Sequence, residues 1–350
     1  MSLSYGECDI GNLIYSSLLE PQKDIKINKK RSERKYNDDL RLLLSEMLYI
    51  IRYVDYNPDR EDTTIIYIGA APGFHLVKLM KMFPFIKFHL YDDQDLHCDL
   101  EKYISENGEQ VRMFREKFTL ESCDMYEGRN VYLITDHKEV RFMSDLPFSK
   151  EEGYLESKRL FQIEKEQSYL NDMEFQKEIC KKLNPKNAFL RFRPPHYYDG
   201  ESPEIAIFEY FPGTVYLMIY NDYKSTESRI VVENFTDEKF KWNYKEYQYR
   251  LNYFNDNKRE SLLKNPFTND NSPLPNQGGN KFEFVMMFFI LLEYYASIGI
   301  ENPRVSDIFN FYTRFLVIES CSDIPNMFKE CEIAVNTVEG PDADLYEEPV

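Results

Sequence analysis

The segment TTIIYIGAAPGFHLVKLMKMF, residues 63–83, limits the possible folds more than any other part of this chain. Its first half is apolar and β-branched, as a buried strand is. It breaks at Gly69, passes through Ala70, Ala71, Pro72 and Gly73, and resumes with apolar residues at helical spacing. A strand that hands over to a helix through a turn stripped of bulky side chains is the building unit of a parallel α/β sheet. The rest of the chain repeats the alternation. Residues 38–54, DDLRLLLSEMLYIIRYV, carry the helical period behind an Asp cap. Strand-like runs lie at 86–92, 110–114, 130–136 and 187–193, and a long polar helical pattern fills 154–183. Runs at 204–210 and 214–220 leave no room for a helix between them and predict a hairpin, with an antiparallel strand at the sheet's edge. A strand at 229–234 and helices at 238–254, 281–299 and 304–318 complete the pattern. The expected architecture is a mostly parallel central sheet, with helices on both faces and an antiparallel edge strand.

Ligands of such sheets bind beyond the carboxyl ends of the strands, where the first strand gives way to the first helix. A turn built on Gly69 and Gly73 lets main chain approach a ligand, and the helix start offers unpaired N–H groups. Asp92 and Asp136 end the next strands, Asp92 at the place where a ribose hydroxyl would sit. The G-A-A-P-G spacing is not the dinucleotide pattern G-x-G-x-x-G, and it lacks the Lys-Ser/Thr of a phosphate-binding loop. That leaves an adenosine ligand without a charged phosphate chain, for which S-adenosyl-L-methionine is the natural candidate. An ordinary tight turn that holds nothing is the alternative.

Charge bears on partners. The chain carries 43 Lys/Arg against 60 Asp/Glu, a net charge of -17, which by itself argues against nucleic acid. The average conceals two basic stretches. KDIKINKKRSERK (23–35) has seven cations against two acids, and KEICKKLNPKNAFLRFR (177–193) has six against one. Either is a candidate flank of an RNA groove or a solvated charged face. The six cysteines form no C-x-x-C pair and no histidine cluster accompanies them, so no metal site is expected. The start of the chain lacks a secretory leader pattern. The longest apolar run, FVMMFFILL, is about half a membrane span. It reads as a buried helix in a protein of a reducing compartment, with no membrane partner.

Five stretches in consistent order, DLRLLLSEML, YIGAAPGFHL, LITD, LNPKNAFLRFRPP and STESRIVVEN, resemble the poxvirus poly(A) polymerase small (regulatory) subunit. That family is also the cap-specific mRNA ribose 2′-O-methyltransferase. The likeness runs from about Tyr36 to Asn252 and fades beyond. It implies a Rossmann-like class I methyltransferase fold, S-adenosyl-L-methionine as cofactor, RNA (capped mRNA or poly(A) tail) and a catalytic poly(A) polymerase subunit as partners, and a location in the host cytoplasm or virion. Three segments are expected: a loosely ordered basic arm (1–37), a single methyltransferase-like domain (38–330) and an acidic tail (331–350).

The family surrounds the ribose hydroxyl with a Lys-Asp-Lys-Glu tetrad, in which a lysine of lowered pKa takes the hydroxyl proton. Matched motif to motif, the four places fall here on Arg41, Asp136, Arg191 and Glu227. Both lysines are arginine, and arginine stays protonated, so it orients or stabilises charge but does not act as a base. Reduced or absent methyl transfer is the expectation, with an active enzyme as the alternative. On the cofactor side the resemblance implies Asp39, Tyr67, Gly69, Pro72, Gly73, Asp92, Gln94 (an arginine in the family) and Asp136. For RNA and cap it implies His196 as a stacking ring, Tyr198 in place of a carboxylate, Glu246 beside Lys245, and Arg193 and Arg229.

Overall fold

The β-branched run TIIYI becomes strand β1 (Thr64–Ile68), buried along four of its five residues, in a computed structural model that describes residues 14, 38–55, 63–136, 154–196, 207–219, 225–235, 240–255, 281–300 and 303–311. Helix α1 (Asp38–Tyr53) precedes it. The turn leads to α2 (Leu76–Met82), β2 (Lys87–Tyr91), α3 (Cys98–Glu106) and β3 (Val111–Phe114). A short 3-10 helix (Glu121–Tyr126), β4 (Val131–Thr135), α4 (Tyr154–Leu183) and β5 (Ala188–Phe192) follow. The last part holds β6 (Ile207–Tyr210), β7 (Thr214–Tyr216), β8 (Ser228–Val232), β9 (Phe240–Asn243), α5 (Tyr244–Tyr253), α6 (Lys281–Ser297) and α7 (Val305–Phe311).

Seven strands form one sheet in the order β3-β2-β1-β4-β5-β8-β7. Pairing from β3 through β5 is parallel, and β8 is antiparallel to both β5 and β7. This is the sheet of a Rossmann-like methyltransferase fold. The chain steps outward from β1 in one direction through β2 and β3, and in the other through β4 and β5. Right-handed crossovers taken in opposite directions put α2 and α3 on one face and α4 on the other. Helix α1 packs on α2 and on α6. Strands β4, β5 and β8 are buried at every residue, as strands covered on both faces must be. Helix α6 is the run FVMMFFILL, apolar all round and therefore interior. It is fastened to α1 by Arg52, which donates to both carboxylate oxygens of Glu293. Among the described residues no helix is long and apolar enough to cross a membrane.

Three expectations change. The antiparallel end of the sheet is present, but 204–210 and 214–220 do not pair with each other. Strand β6 pairs with β9 in a separate two-stranded ribbon, while β7 joins β8. The reason is burial: only Tyr210 of β6 is inside, so it cannot enter a sheet covered on both faces. Gly213 lets the chain pass against β8, since a Cβ there would lie 2.4 Å from the Val231 carbonyl oxygen. Residues 240–243, expected as helix, are the partner strand β9. Helix α3 and the 3-10 helix, whose sequences carry weak periodicity, were not expected. The arm and tail lie outside the described residues, except for Ile14, which makes an antiparallel bridge with Tyr216.

Candidate functional site

The turn after β1 is held from beside it. Gly69 and Gly73 have φ of 86° and 72°, and the Ala71–Pro72 bond is cis. Gly69 N–H donates to the Tyr91 carbonyl (3.0 Å), and His97 N–H donates to that of Pro72 (2.9 Å). Asp92, at the end of β2, accepts from Ala71 N–H on Oδ2 (2.8 Å) and from Gln94 N–H on Oδ1 (2.9 Å). A Cβ on Gly73 would lie 2.4 Å from Leu100 Cδ2 and 2.6 Å from the Ala70 carbonyl oxygen. The bare turn at Gly73 is thus required by the protein's own packing, whatever lies above it.

The four tetrad positions come from α1, β4, β5 and the start of β8. Because β8 runs against its neighbours, its first residues reach the same edge as the last residues of β4 and β5, and Arg191 stands opposite Arg229 in the ladder. Arg191 Nη2 donates to Glu227 Oε2 at 2.9 Å, with both side chains less than a tenth exposed. Around the same carboxylate lie Arg229 (3.6 Å), Arg193 (3.8 Å) and Arg41 (3.9 Å). Arg229 is also bonded to Asp136 Oδ1 (2.5 Å) and to the Thr135 carbonyl (3.1 Å). Burial alone would raise the Glu227 carboxyl's pKa, but the guanidinium groups of Arg191, Arg41 and Arg229 hold it far below the usual carboxylate range. Burial likewise works against the charge on Arg191, and Glu227, Asp136 and Asp172 overcome it, so its pKa is raised. The site is a dense ion-pair cluster to which every tetrad position contributes.

Helix α4 completes it with residues that have no signal in the sequence beyond a polar helical pattern. Gln176 accepts from the Arg191 N–H (3.0 Å) and from the Thr135 hydroxyl, and donates to the Arg191 carbonyl (3.2 Å). Asp172 Oδ2 is 3.8 Å from Arg191 Nη1. The Arg193 guanidinium lies 3.8 Å above the Tyr169 ring centroid, and that of Arg191 5.6 Å from it.

Residues 12–316 of the chain match the model of the family described as poly A polymerase regulatory subunit. The chain belongs to this family. No curated protein matches it. Among solved structures, an O-methyltransferase family protein from Burkholderia thailandensis is similar over 48% of this chain and 42% of its own, with 14% identity and a TM-score of 0.25. The chain thus spans less than half of that protein's length.

In this chain the remaining expected residues divide. Gly69, Pro72, Gly73, Asp92 and Gln94 share the turn and its lip. Gln94 is exposed and donates to Asp93 (3.0 Å). Asp39 is half-buried in the first turn of α1, two residues before Arg41. Tyr67 is wholly buried, and its hydroxyl faces Glu46 and His75, away from solvent. Arg229, expected to face RNA, is buried at 2% exposure and bound to Asp136. The Arg193 side chain is 18% exposed, with its Nε buried. His196 follows β5, its N–H bonded to Glu166 (3.0 Å). Glu246 is exposed on α5 and paired with Arg250 (2.6 Å); its neighbour Tyr247 ties α5 to β8 through Ser228 Oγ (2.7 Å) and the Thr226 carbonyl (3.1 Å). Tyr198 and the basic stretch 23–35 lie outside the described residues. The second basic stretch does not form one open cationic face. Lys177, Lys182 and Lys186 pair with Glu174, Asp124 and Asp55, and Arg191 and Arg193 turn to Glu227.

Sequence reasoning missed Glu46 and His75 as well. Each left a mark: an acid among the apolar positions of α1, and a histidine inside the apolar run of the turn. Among the described residues, one group could hold a metal ion: His97, Cys98 and Asp99, with ligand atoms within 4.8 Å of one another at the start of α3. They are consecutive in the chain, so their proximity follows from adjacency.

Proposed function

We propose that this chain is an RNA-binding subunit that assists a catalytic poly(A) polymerase, keeps an S-adenosyl-L-methionine pocket at its glycine turn, and does not transfer the methyl group to a cap ribose. The observation that carries this reading is the buried Arg191–Glu227 pair. A base for a ribose hydroxyl must be able to give up its proton before the reaction, and a buried guanidinium bonded to a carboxylate is the cation least able to do so.

The turn suits the cofactor. Asp92 accepts one N–H on each oxygen, which leaves each a further lone pair for ribose hydroxyls. The main chain of Gly69 to Gly73 and Asp136 complete the set that would hold it. When bound, the cofactor supplies an electrophilic methyl on a sulfonium. The partly exposed Arg193, stacked on Tyr169, is the cation best placed to meet a phosphodiester beside this pocket.

The family's description supports a catalytic poly(A) polymerase as partner, and RNA is what such a partner extends. Calorimetry with S-adenosyl-L-methionine and its demethylated product should give binding, and addition of the protein should lengthen tails made by a catalytic poly(A) polymerase. Incubation with a short capped transcript should give no 2′-O-methyl product; robust turnover would overturn the reading. A second reading, an active methyltransferase for capped or other RNA, is favoured by the assembly of all four tetrad positions around one edge. It predicts turnover in the wild type. The first predicts turnover only when Arg41→Lys and Arg191→Lys are combined.

A further inference from the structure

We infer that Glu46, Tyr67 and His75 are positioning residues that hold the glycine turn from beneath, so that the charge on His75 and the setting of the turn are one coupled equilibrium. The inference rests on the proposed ligand only for the affinity it predicts; the positioning itself stands on geometry.

The three side chains come from three elements. Glu46 is on α1, Tyr67 is in β1, and His75 opens α2 two residues after Gly73. All are buried, at 1%, 0% and 4% exposure. The Tyr67 hydroxyl donates to Glu46 Oε1 at 2.7 Å, and its oxygen lies 3.2 Å from His75 Nε2. His75 Nε2 is 3.1 Å from Glu46 Oε2, an ion-pair contact; no donor is aligned on that oxygen for a hydrogen bond. A buried carboxylate oxygen without a hydrogen bond is costly, and the nearest group able to relieve it is the imidazole.

The connection to the turn is short. The His75 carbonyl accepts from Lys78 and Leu79 N–H (both 3.1 Å), and the Gly73 carbonyl from Leu76 N–H (3.1 Å). His75 thus carries the imidazole on main chain that is bonded into the first turn of α2, two residues from Gly73. Three apolar side chains would fill this space without desolvating an acid and an imidazole. None of the three takes part in the ion-pair cluster around Glu227. What they do is fix α1, which bears Asp39 and Arg41, against β1 and the turn.

The groups that face His75 are Glu46 and Asp39 from α1, Asp136 from the end of β4 and Tyr67 from β1, while Arg229 from β8 acts on Tyr67. Burial favours the neutral ring; the carboxylates, Glu46 first, outweigh it, and the His75 pKa is raised above the ordinary histidine value. Asp136 is shared. It lies in the field of His75 and is also a residue that would meet a cationic ligand group, so a ligand there and a proton on His75 oppose each other.

The test is amide NMR of the full chain between pH 5.5 and 9, on wild type, Glu46→Gln and His75→Gln, with calorimetry of the demethylated cofactor product in parallel. In the wild type the Gly69 and Gly73 amide resonances should move with the His75 ring titration. In H75Q, whose amide can still donate to Glu46, the two glycines should keep their position at low pH and lose the pH dependence. E46Q should shift the His75 titration downward and, at a pH where His75 is neutral in both proteins, lower the affinity for the product about 3- to 10-fold. Glycine amides that stay still while His75 titrates would overturn the inference. If the product binds at no pH, the cofactor reading falls and the glycine shifts still decide the positioning role. Should E46Q fail to fold, Tyr67→Phe removes one hydroxyl of the same tie, and an unchanged His75 titration in Y67F would count against it.

Discussion

Arg191 Nη2 sits 2.9 Å from Glu227 Oε2 inside the protein, and three more guanidinium groups lie within 4 Å of the same carboxylate. A carboxylate so surrounded is a counter-ion to the whole cluster. Its removal should therefore harm the fold before it harms any chemistry. Glu227→Gln leaves Arg191 and Arg229 buried without their shared anion and is expected to destabilise by about 3–5 kcal/mol in urea titration. The paired change Arg191→Met with Glu227→Met should cost less than E227Q alone, because Arg191 is then not left buried without its chief anion. Equal losses in the two variants would show that the pair matters for packing and not for charge.

The same cluster and the buried histidine give stability two opposite dependences on pH. The Glu227 carboxyl titrates lower folded than unfolded, so its contribution is complete above its unfolded pKa of about 4.3 and is lost as pH falls toward the folded value. His75 titrates higher folded than unfolded. Its contribution is complete below about pH 6.5 and is lost as pH rises through the folded value. Urea midpoints measured from pH 4 to 9 should fall on both sides. E227Q should flatten the acid limb and H75Q the alkaline one.

Gly73→Ala should destabilise by about 1–3 kcal/mol, since it places a Cβ on a backbone of φ 72° and against the Ala70 carbonyl oxygen. Adding Leu100→Ala removes one of the two close contacts but leaves the carbonyl, so the double variant should not recover wild-type stability. Thermal unfolding of the two variants decides this. Full recovery in the double variant would assign the whole effect to the leucine.

Asp92→Ala removes both acceptors that hold the Ala71 and Gln94 N–H groups. It should cost about 1–3 kcal/mol and abolish calorimetric binding of S-adenosyl-L-methionine. Asp92→Asn keeps one acceptor and should lose affinity with a smaller loss of stability. An affinity unchanged in both variants would remove Asp92 from the pocket.

The strand–turn–helix at 63–83 was legible because its two halves have different periods and the glycines mark the change. The parallel pairing of β1 with β2 and of β4 with β5 followed from the helical patterns read between them. The fate of 204–220 was not legible. Both runs alternate as strands do, and only the exposure of Ile207 and Glu209 shows that β6 belongs to a separate ribbon. Arg41, Asp136, Arg191 and Glu227 were proposed as site residues through motifs, and the fold brings their side chains into one ion-pair cluster. Their state was hidden: nothing local to Arg229 shows that it folds inward onto Asp136, because the partner is 93 residues away. Tyr169, Asp172 and Gln176 were invisible for the same reason. They lie on a long polar helix whose inner face is defined only by the sheet it covers.

The reversed strand β8 also has a bearing on how the chain is made. Glu227 leaves the ribosome 36 residues after Arg191. Until then β5 carries a guanidinium that belongs inside the sheet and has not met its chief anion. The nascent chain is therefore expected to hold β5 at the exit tunnel in a hydrated, undocked state, and to close the sheet in one late step when β8 arrives. Pulsed proteolysis of stalled chains in which β8 is still inside the exit tunnel, and of longer ones in which Val232 has emerged, would report that step as a sudden gain in resistance around Arg191.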